Sequence, residues 1–155
     1  MEAGVTHADF TIERRFRASP ARVFAAWATA EARAAWFVGG EGWTQLVRQF
    51  DFREGGRERV VGRKGTGTIS DFRAAYVEIE PDRRIVFTYE MVLDDARISV
   101  SLATIELWPD GTGTLMKLTE QGAYLVAYDP QGDDNGSRMR GTQALLDNLA
   151  RYVDR

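Results

Sequence analysis

The sequence predicts an α+β domain: an antiparallel sheet with its helices gathered at the two ends of the chain. Three observations predict it. Residues 44–121 alternate apolar and polar positions in segments separated by turn chemistry, as half-buried strands do. Two short helical patterns precede that block. Residues 137–155 carry Met139, Thr142, Leu146, Leu149 and Val153 on one helical stripe. Strands in one run and helices outside it indicate segregated layers, not alternating βαβ units.

Each element has its own signal. Residues 10–18 ("FTIERRFRA") alternate as a first strand. Ser19 is a helix N-cap and Pro20 suits the first turn, so a helix follows with Val23, Phe24 and Trp27 on its apolar side. Thr29 caps a second short helix that runs to Trp36 and stops at Gly39, Gly40 and Gly42. Strands then read through "TQLVRQFDF", "RERVVGR", "FRAAYVEI", "IVFTYEMVL", "RISVSLATIELW" and "GTLMKLTEQ", giving about six after the first. "REGG", "KGTGTIS", "EPDRR", "DD" and "PDGT" are the turns between them. "GTGT" occurs at 65–68 and 111–114, both times at a turn, which is repeated turn chemistry and not a domain repeat.

Composition excludes several functions. The chain has 155 residues, enough for one domain with a real core. It has no cysteine, so disulfides, thiolate metal sites and a cysteine nucleophile are excluded. Its one histidine, His7, lies in a stretch (1–8) expected to fray, so a histidine metal site or a serine–histidine triad is not expected. The net charge of −3 supplies no basic field for nucleic acid. No apolar run is long enough to span a bilayer and the N-terminus lacks a secretory pattern, so a cytoplasmic protein with no membrane insertion is expected. "QGDDNG" at 131–136 has Gln131 where a calcium loop needs an aspartate and Thr142 where it needs a glutamate. "GRKGTGT" lacks phosphate-loop spacing. The pairs Asp94/Asp95 and Asp133/Asp134 read as solvated turns. No metal and no cofactor is expected.

"RRFRASPARVFAAW", "REGG", "VEIEPDRRIVFTY", "LTEQGAYL" and "GTQALLDNLARYV", in that order, resemble the START-like (SRPBCC) superfamily, and within it the branch related to the activator of the 90-kDa heat-shock chaperone ATPase. The likeness spans roughly residues 10–153. It implies one START-like domain over 1–155 with a helix-grip fold of the START/Bet v kind: a curved sheet of about six or seven strands around a long C-terminal helix. It also implies an elongated apolar cavity between sheet and helix that takes a small hydrophobic molecule.

Alternation sorts the strands into faces. Ile85, Phe87, Tyr89 and Met91 share the inward face of one strand, and Thr114, Met116, Leu118 and Glu120 that of another. A four-residue "PDGT" loop would pair Trp108 with Gly113, Ile105 with Met116, Ala103 with Leu118 and Ser101 with Glu120. A slip of one residue would turn Val100, Leu102 and Thr104 inward instead, and the sequence leaves both open. Gly141 within the last helix suggests a gap or a close approach there. The residues assigned to a ligand wall are Trp36, Trp43, Phe72, Phe87, Tyr89, Met91, Ser101, Met116, Leu118, Glu120, Tyr124, Met139 and Gln143. Trp36 is read first as a core plug and second as a wall; Trp43 is read as a ring over an opening.

Glu120 is the weak candidate for a catalytic group. If it points inward, Tyr89, Ser101, Gln143 and the pair Arg138/Arg140 are its possible partners; it either stays wet at a strand end, bonds a ligand or moves a proton, or forms a structural ion pair. The expected function is binding of a small hydrophobic molecule. The alternatives are an enzyme of the polyketide-cyclase or dehydratase type and a protein-interaction module resembling the chaperone-ATPase activator. Homodimerisation through a sheet edge or residues 122–136 stays open, and a chaperone partner has no support in the sequence beyond the resemblance.

Overall fold

The computed structural model describes residues 4–125 and 135–155. Along the chain run β1 (Thr6–Phe16), α1 (Pro20–Ala28), α2 (Ala30–Trp36), β2 (Trp43–Phe50), β3 (Arg57–Lys64), β4 (Ile69–Glu80), β5 (Arg84–Leu93), β6 (Ala96–Asp110), β7 (Gly113–Tyr124) and α3 (Asn135–Val153). The seven strands form one antiparallel sheet in the order β1-β7-β6-β5-β4-β3-β2. The sheet curves around α3, and this is the helix-grip arrangement of an α+β fold. Register shifts at Gln45/Val47, Tyr76/Glu78 and Met91/Val92 supply local bends. The paired part of β1 begins at Thr6, opposite Tyr124, so strand order starts inside the stretch expected to fray. The residues of the calcium-like loop before Asn135, including Gln131 and Asp133/Asp134, lie outside the described residues.

The helix starts follow local chemistry. The Ser19 side chain accepts from the Arg22 N–H with Pro20 at the first helical position, and Thr29 accepts from the Ala32 N–H. The inward faces are those that alternation assigns: Ile85, Phe87 and Tyr89, then Ala103 and Ile105, then Met116 and Leu118 are buried against Val23 and Trp27 of α1 and Leu146, Leu149 and Val153 of α3. The β6–β7 register corrects the sequence reading. Trp108 stands opposite Leu115 and Asp110 opposite Gly113, so the loop is the two residues Gly111 and Thr112. Only Gly111 has positive φ (59°), the pattern of a type II′ hairpin, which matches strand twist better than a longer loop. Ile105 therefore faces Leu118, Ala103 faces Glu120 and Ser101 faces Gly122. A shift of two residues leaves every face unchanged, so Ser101, Ala103 and Ile105 remain inside.

The last turn of α3 is tied to the β1–α1 junction. Asp154 accepts from the backbone N–H groups of Arg17 and Ala18, and Asn148 donates to the Trp36 carbonyl at 3.2 Å. Gly141 is exposed, and a Cβ there would meet nothing within 4 Å, so neither a gap nor a close approach explains it.

A buried ion pair joins α2 to the sheet. Arg33 donates through Nε (3.1 Å) and Nη2 (2.6 Å) to the two carboxylate oxygens of Glu58 on β3. Tyr76 of β4 donates its hydroxyl to the same carboxylate at 2.8 Å. The side chains of Arg33 and Glu58 are 2% and 1% exposed. The guanidinium lies 3.9 Å from the centre of the Phe37 ring, with Trp36, Trp27 and Phe50 around it. Burial pushes the Tyr76 phenol well above its ordinary range, so it stays a donor.

On the outer face Asp71 of β4 is clasped by Arg59 and Arg73. Burial pushes its carboxyl up, but the hydrogen bonds and charges of the two arginines together outweigh that and hold it below the usual range.

Three predictions follow from this architecture. Arg33→Met should cost about 3–5 kcal/mol in denaturant unfolding, because it leaves Glu58 charged and buried. The double variant Arg33→Met/Glu58→Met should recover much of that; no recovery would show that the arginine acts through packing alone. Gly141→Ala should stabilise by about 0.5–1 kcal/mol, whereas Gly113→Ala should destabilise, since its Cβ would strike the Phe16 backbone carbonyl. Equal shifts from the two would contradict these backbone assignments. Asp71 has a folded pKa below its unfolded value, so its stabilisation is present above the unfolded value and lost as pH falls through the folded one. Asp71→Asn should therefore melt below wild type at neutral pH, the gap narrowing as pH falls from the ordinary carboxylate range toward the lower folded value; a gap of constant size across that acid range would refute it.

Candidate functional site

α3 closes the two ends of the concave face differently. Its second half is sealed: Leu146, Leu149 and Val153 are buried in the same core cluster as Ile85, Ile105 and Met116. Its first half is not. Met139 and Thr142 are only half-buried, as are Met91 of β5 and Phe72 of β4. Under this half the inward row of the sheet turns polar. Ser99 and Ser101 of β6, Glu120 of β7 and the Tyr89 hydroxyl of β5 are all buried there.

Arg138 gathers these groups. Its Nη2 donates to Ser99 Oγ at 2.8 Å, and its Nη1 donates to Tyr89 Oη at 3.0 Å and reaches Ser101 Oγ at 3.5 Å. The same Nη1 stands 3.7 Å from Glu120 Oε2, the two side chains being 10% and 5% exposed. Tyr89 in turn donates to Glu120 Oε1 at 2.7 Å. Burial is the largest influence on the Tyr89 phenol and pushes it far up, against the lowering effect of Arg138. It is therefore a proton-holding donor at neutral pH and a poor general base. Arg138 also lies 5.5 Å and 5.4 Å from the ring centres of Tyr89 and Tyr124.

Aromatic rings continue from this cluster along the concave face. Tyr89 lies 4.9 Å from Phe72 and 6.1 Å from Phe87, and Phe72 lies 5.0 Å from Phe37 next to Trp36. The structure thus gathers Tyr89, Ser101, Glu120 and Tyr124 about Arg138 and sets Phe72 and Phe87 beside Tyr89, with Met91 and Met139 half-buried. It buries Met116 and Leu118 in the core.

Three expected wall residues are placed elsewhere. Gln143 is exposed, and what touches the sheet is its carbonyl, which accepts from Arg14 at 3.1 Å. The helical stripe runs through Thr142 and Leu146, which turns position 143 toward solvent. Arg140, once an alternative partner for Glu120, is exposed too. Trp36 is a core plug: it is 1% exposed, stacks edge-on against Trp27 and donates its Nε1–H to the Ala26 carbonyl at 2.7 Å. Trp43 starts the edge strand β2 and packs across Gly39 and Gly62. A Cβ at Gly39 would meet the Trp43 ring at 2.6 Å, so that glycine permits the close approach.

The wet reading of Glu120 is excluded by its burial. Its partners were legible as types, since an inward carboxylate needs a donor. The part played by Ser99 was missed, although it shares the parity of Ser101 on β6. Arg33 and Glu58 were missed as well: Arg33 sits one turn before Trp36, and Glu58 lies between the outward Arg57 and Arg59.

No described helix is long and apolar enough to cross a membrane. The model of the family described as Activator of Hsp90 ATPase homolog 1-like protein matches residues 17–154. Among solved structures, an uncharacterized protein from Rhizobium leguminosarum is 40% identical over 98% of this chain and 97% of its own, with a TM-score of 0.90. A protein from Rhizobium loti is also 40% identical, over 97% of this chain and 99% of its own, with a TM-score of 0.86. An AHSA1-like protein from Aeromonas hydrophila shares the fold, at 21% identity over 94% of this chain and 92% of its own and a TM-score of 0.67. No curated protein matches the chain. With the fold, its helix-covered concave face and a match across nearly its whole length, the chain belongs to the Activator of Hsp90 ATPase homolog 1-like family.

Proposed function

We propose that the protein binds a small hydrophobic molecule carrying one hydrogen-bonding end, held between the concave face and the first half of α3. The observation that carries this is the buried polar cluster of Arg138, Tyr89, Glu120, Ser99 and Ser101, set among aromatic and methionine side chains where the helix covers the sheet least. A mostly apolar wall with a few placed polar groups is what small-molecule sites present. Met91 and Met139 can re-pack around a guest, and Phe72 and Phe87 offer flat apolar surface. Rearranging such a cluster costs little when the guest replaces one of its hydrogen bonds. The high phenol pKa of Tyr89 supports a donor that fixes orientation and disfavours the cyclase-type reading, which needs a group that exchanges protons near neutral pH.

The test is displacement of a lipophilic fluorescent dye by a panel of aromatic and fatty alcohols, with native mass spectrometry of the purified chain. Saturable binding is expected. Tyr89→Phe should weaken it about 5–10-fold, the worth of one buried hydrogen bond of about 1–1.5 kcal/mol. Met139→Trp should block it by filling the half-open end while leaving the melting temperature nearly unchanged. Binding that neither variant alters would place the guest elsewhere, and no saturable binding would end the proposal.

A further inference from the structure

The outer face of the sheet carries a second concavity, away from α3. It has a volume of about 480 Å³ and is lined by Gln49, Arg57, Arg59, Arg73, Thr88 and Val100, among others on β2 to β6. Two neighbouring cross-strand rows build it. One runs Gln49, Arg59, Arg73, Glu90, Val100; the other runs Arg57, Ala75, Thr88, Leu102. The small Ala75 and Thr88 lower the second row between longer neighbours. Arginine arms raise the wall on one side, and the exposed Val100 ends the trough with apolar surface that the exposed Leu102, beside Thr88, continues.

The charges in and beside this trough do not cancel. Glu90 is committed to Arg97, and Asp71 is shared by Arg59 and Arg73. The four guanidiniums of Arg57, Arg59, Arg73 and Arg97 thus meet two carboxylates, leaving the groove two charges positive. Glu58 belongs to the buried pair on the opposite side. Arg59 and Arg73 each bind Asp71 through Nε and Nη2, so Asp71 holds both forks in place, and among the described residues their Nη1 groups are left for another acceptor. Arginines already immobilised lose less entropy on binding an anion than free ones. Planar N–H pairs suit a carboxylate or a phosphate, and the Thr88 hydroxyl adds a donor.

We propose that this groove is an anion site for a small organic molecule bearing a carboxylate or phosphate on an apolar body, the oxyanion held by Arg57, Arg59 and Arg73 and the body lying on Val100 and Leu102. It lies on the opposite face of the sheet from the Arg138 cluster; Tyr89 borders both, but its hydroxyl is on the Arg138 side.

The experiment is backbone-amide NMR titration of the whole chain with three probes: phenyl phosphate, 4-phenylbutyrate and neutral 4-phenylbutanol. Saturable shifts on β3–β5 around Arg57–Arg59, Arg73–Ala75 and Thr88–Glu90 are expected with at least one anion, weakening as salt rises. The tighter of the two anions identifies the oxyanion. Arg57→Glu should weaken that binding at least tenfold without changing the melting temperature, because Arg57 is exposed and bonded through its backbone to Asp51. No saturable shift with either anion would overturn the proposal. So would equal binding by the neutral alcohol, or affinity unchanged in Arg57→Glu. Shifts confined to Ser99, Ser101, Glu120 and Arg138 would belong to the concave-face site and would also overturn the outer one.

Discussion

A single buried charge pair sets the geometry from which both faces follow. Arg33 reaches from a two-turn helix into the sheet and finds Glu58, with Tyr76 closing the carboxylate from the next strand. A helix as short as α2 has little stability of its own. Here it is held by a bidentate ion pair in a site closed by four aromatic rings. Removing both charges from water costs several kcal/mol, and only close geometry repays it. The pair therefore contributes more to position than to net stability. It holds Trp36 against Trp27 and Phe37 against Phe72, and so starts the ring series that ends at Tyr89.

α3 makes the second decision. Its C-terminal half carries leucine and valine onto a dry core and is latched by Asp154 and Asn148. Its N-terminal half brings a cation over hydroxyls and a carboxylate. One helix thus seals one end of the sheet and leaves the other chemically responsive. Apolar packing and polar contacts are separated along its length, so the guest we propose at the polar end would not have to break the packed one.

The outer face follows another rule. Exposed sheet faces are commonly studded with mixed charges, which keeps them soluble and unpaired. Here one aspartate takes two arginines, and that leaves a local surplus of positive charge in a chain whose net charge is −3. Its place in the lowest part of the face makes it a pocket and not a stripe.

Much of this was legible in the residues. Alternation placed Ile85, Phe87, Tyr89, Met116 and Glu120 inside because a strand has period two and one face had to be buried. Ser19, Pro20 and Thr29 marked helix starts through local hydrogen bonding. The stripe on α3 named Leu146, Leu149 and Val153, and the order of motifs named the family. The chain could not by itself set the β6–β7 pairing, since a slip of two residues keeps every side chain on its face and only the turn at Gly111 chooses between them. The outward turn of Gln143 already follows from the stripe through Thr142 and Leu146, whereas the choice of core plug over wall for Trp36 depends on how α2 packs against the sheet. The pairs Arg33–Glu58 and Arg138–Tyr89 join residues 25 and 49 positions apart. Sequence spacing carries local periodicity, whereas which distant charges share a buried space is settled only when the sheet curves and the helices close on it.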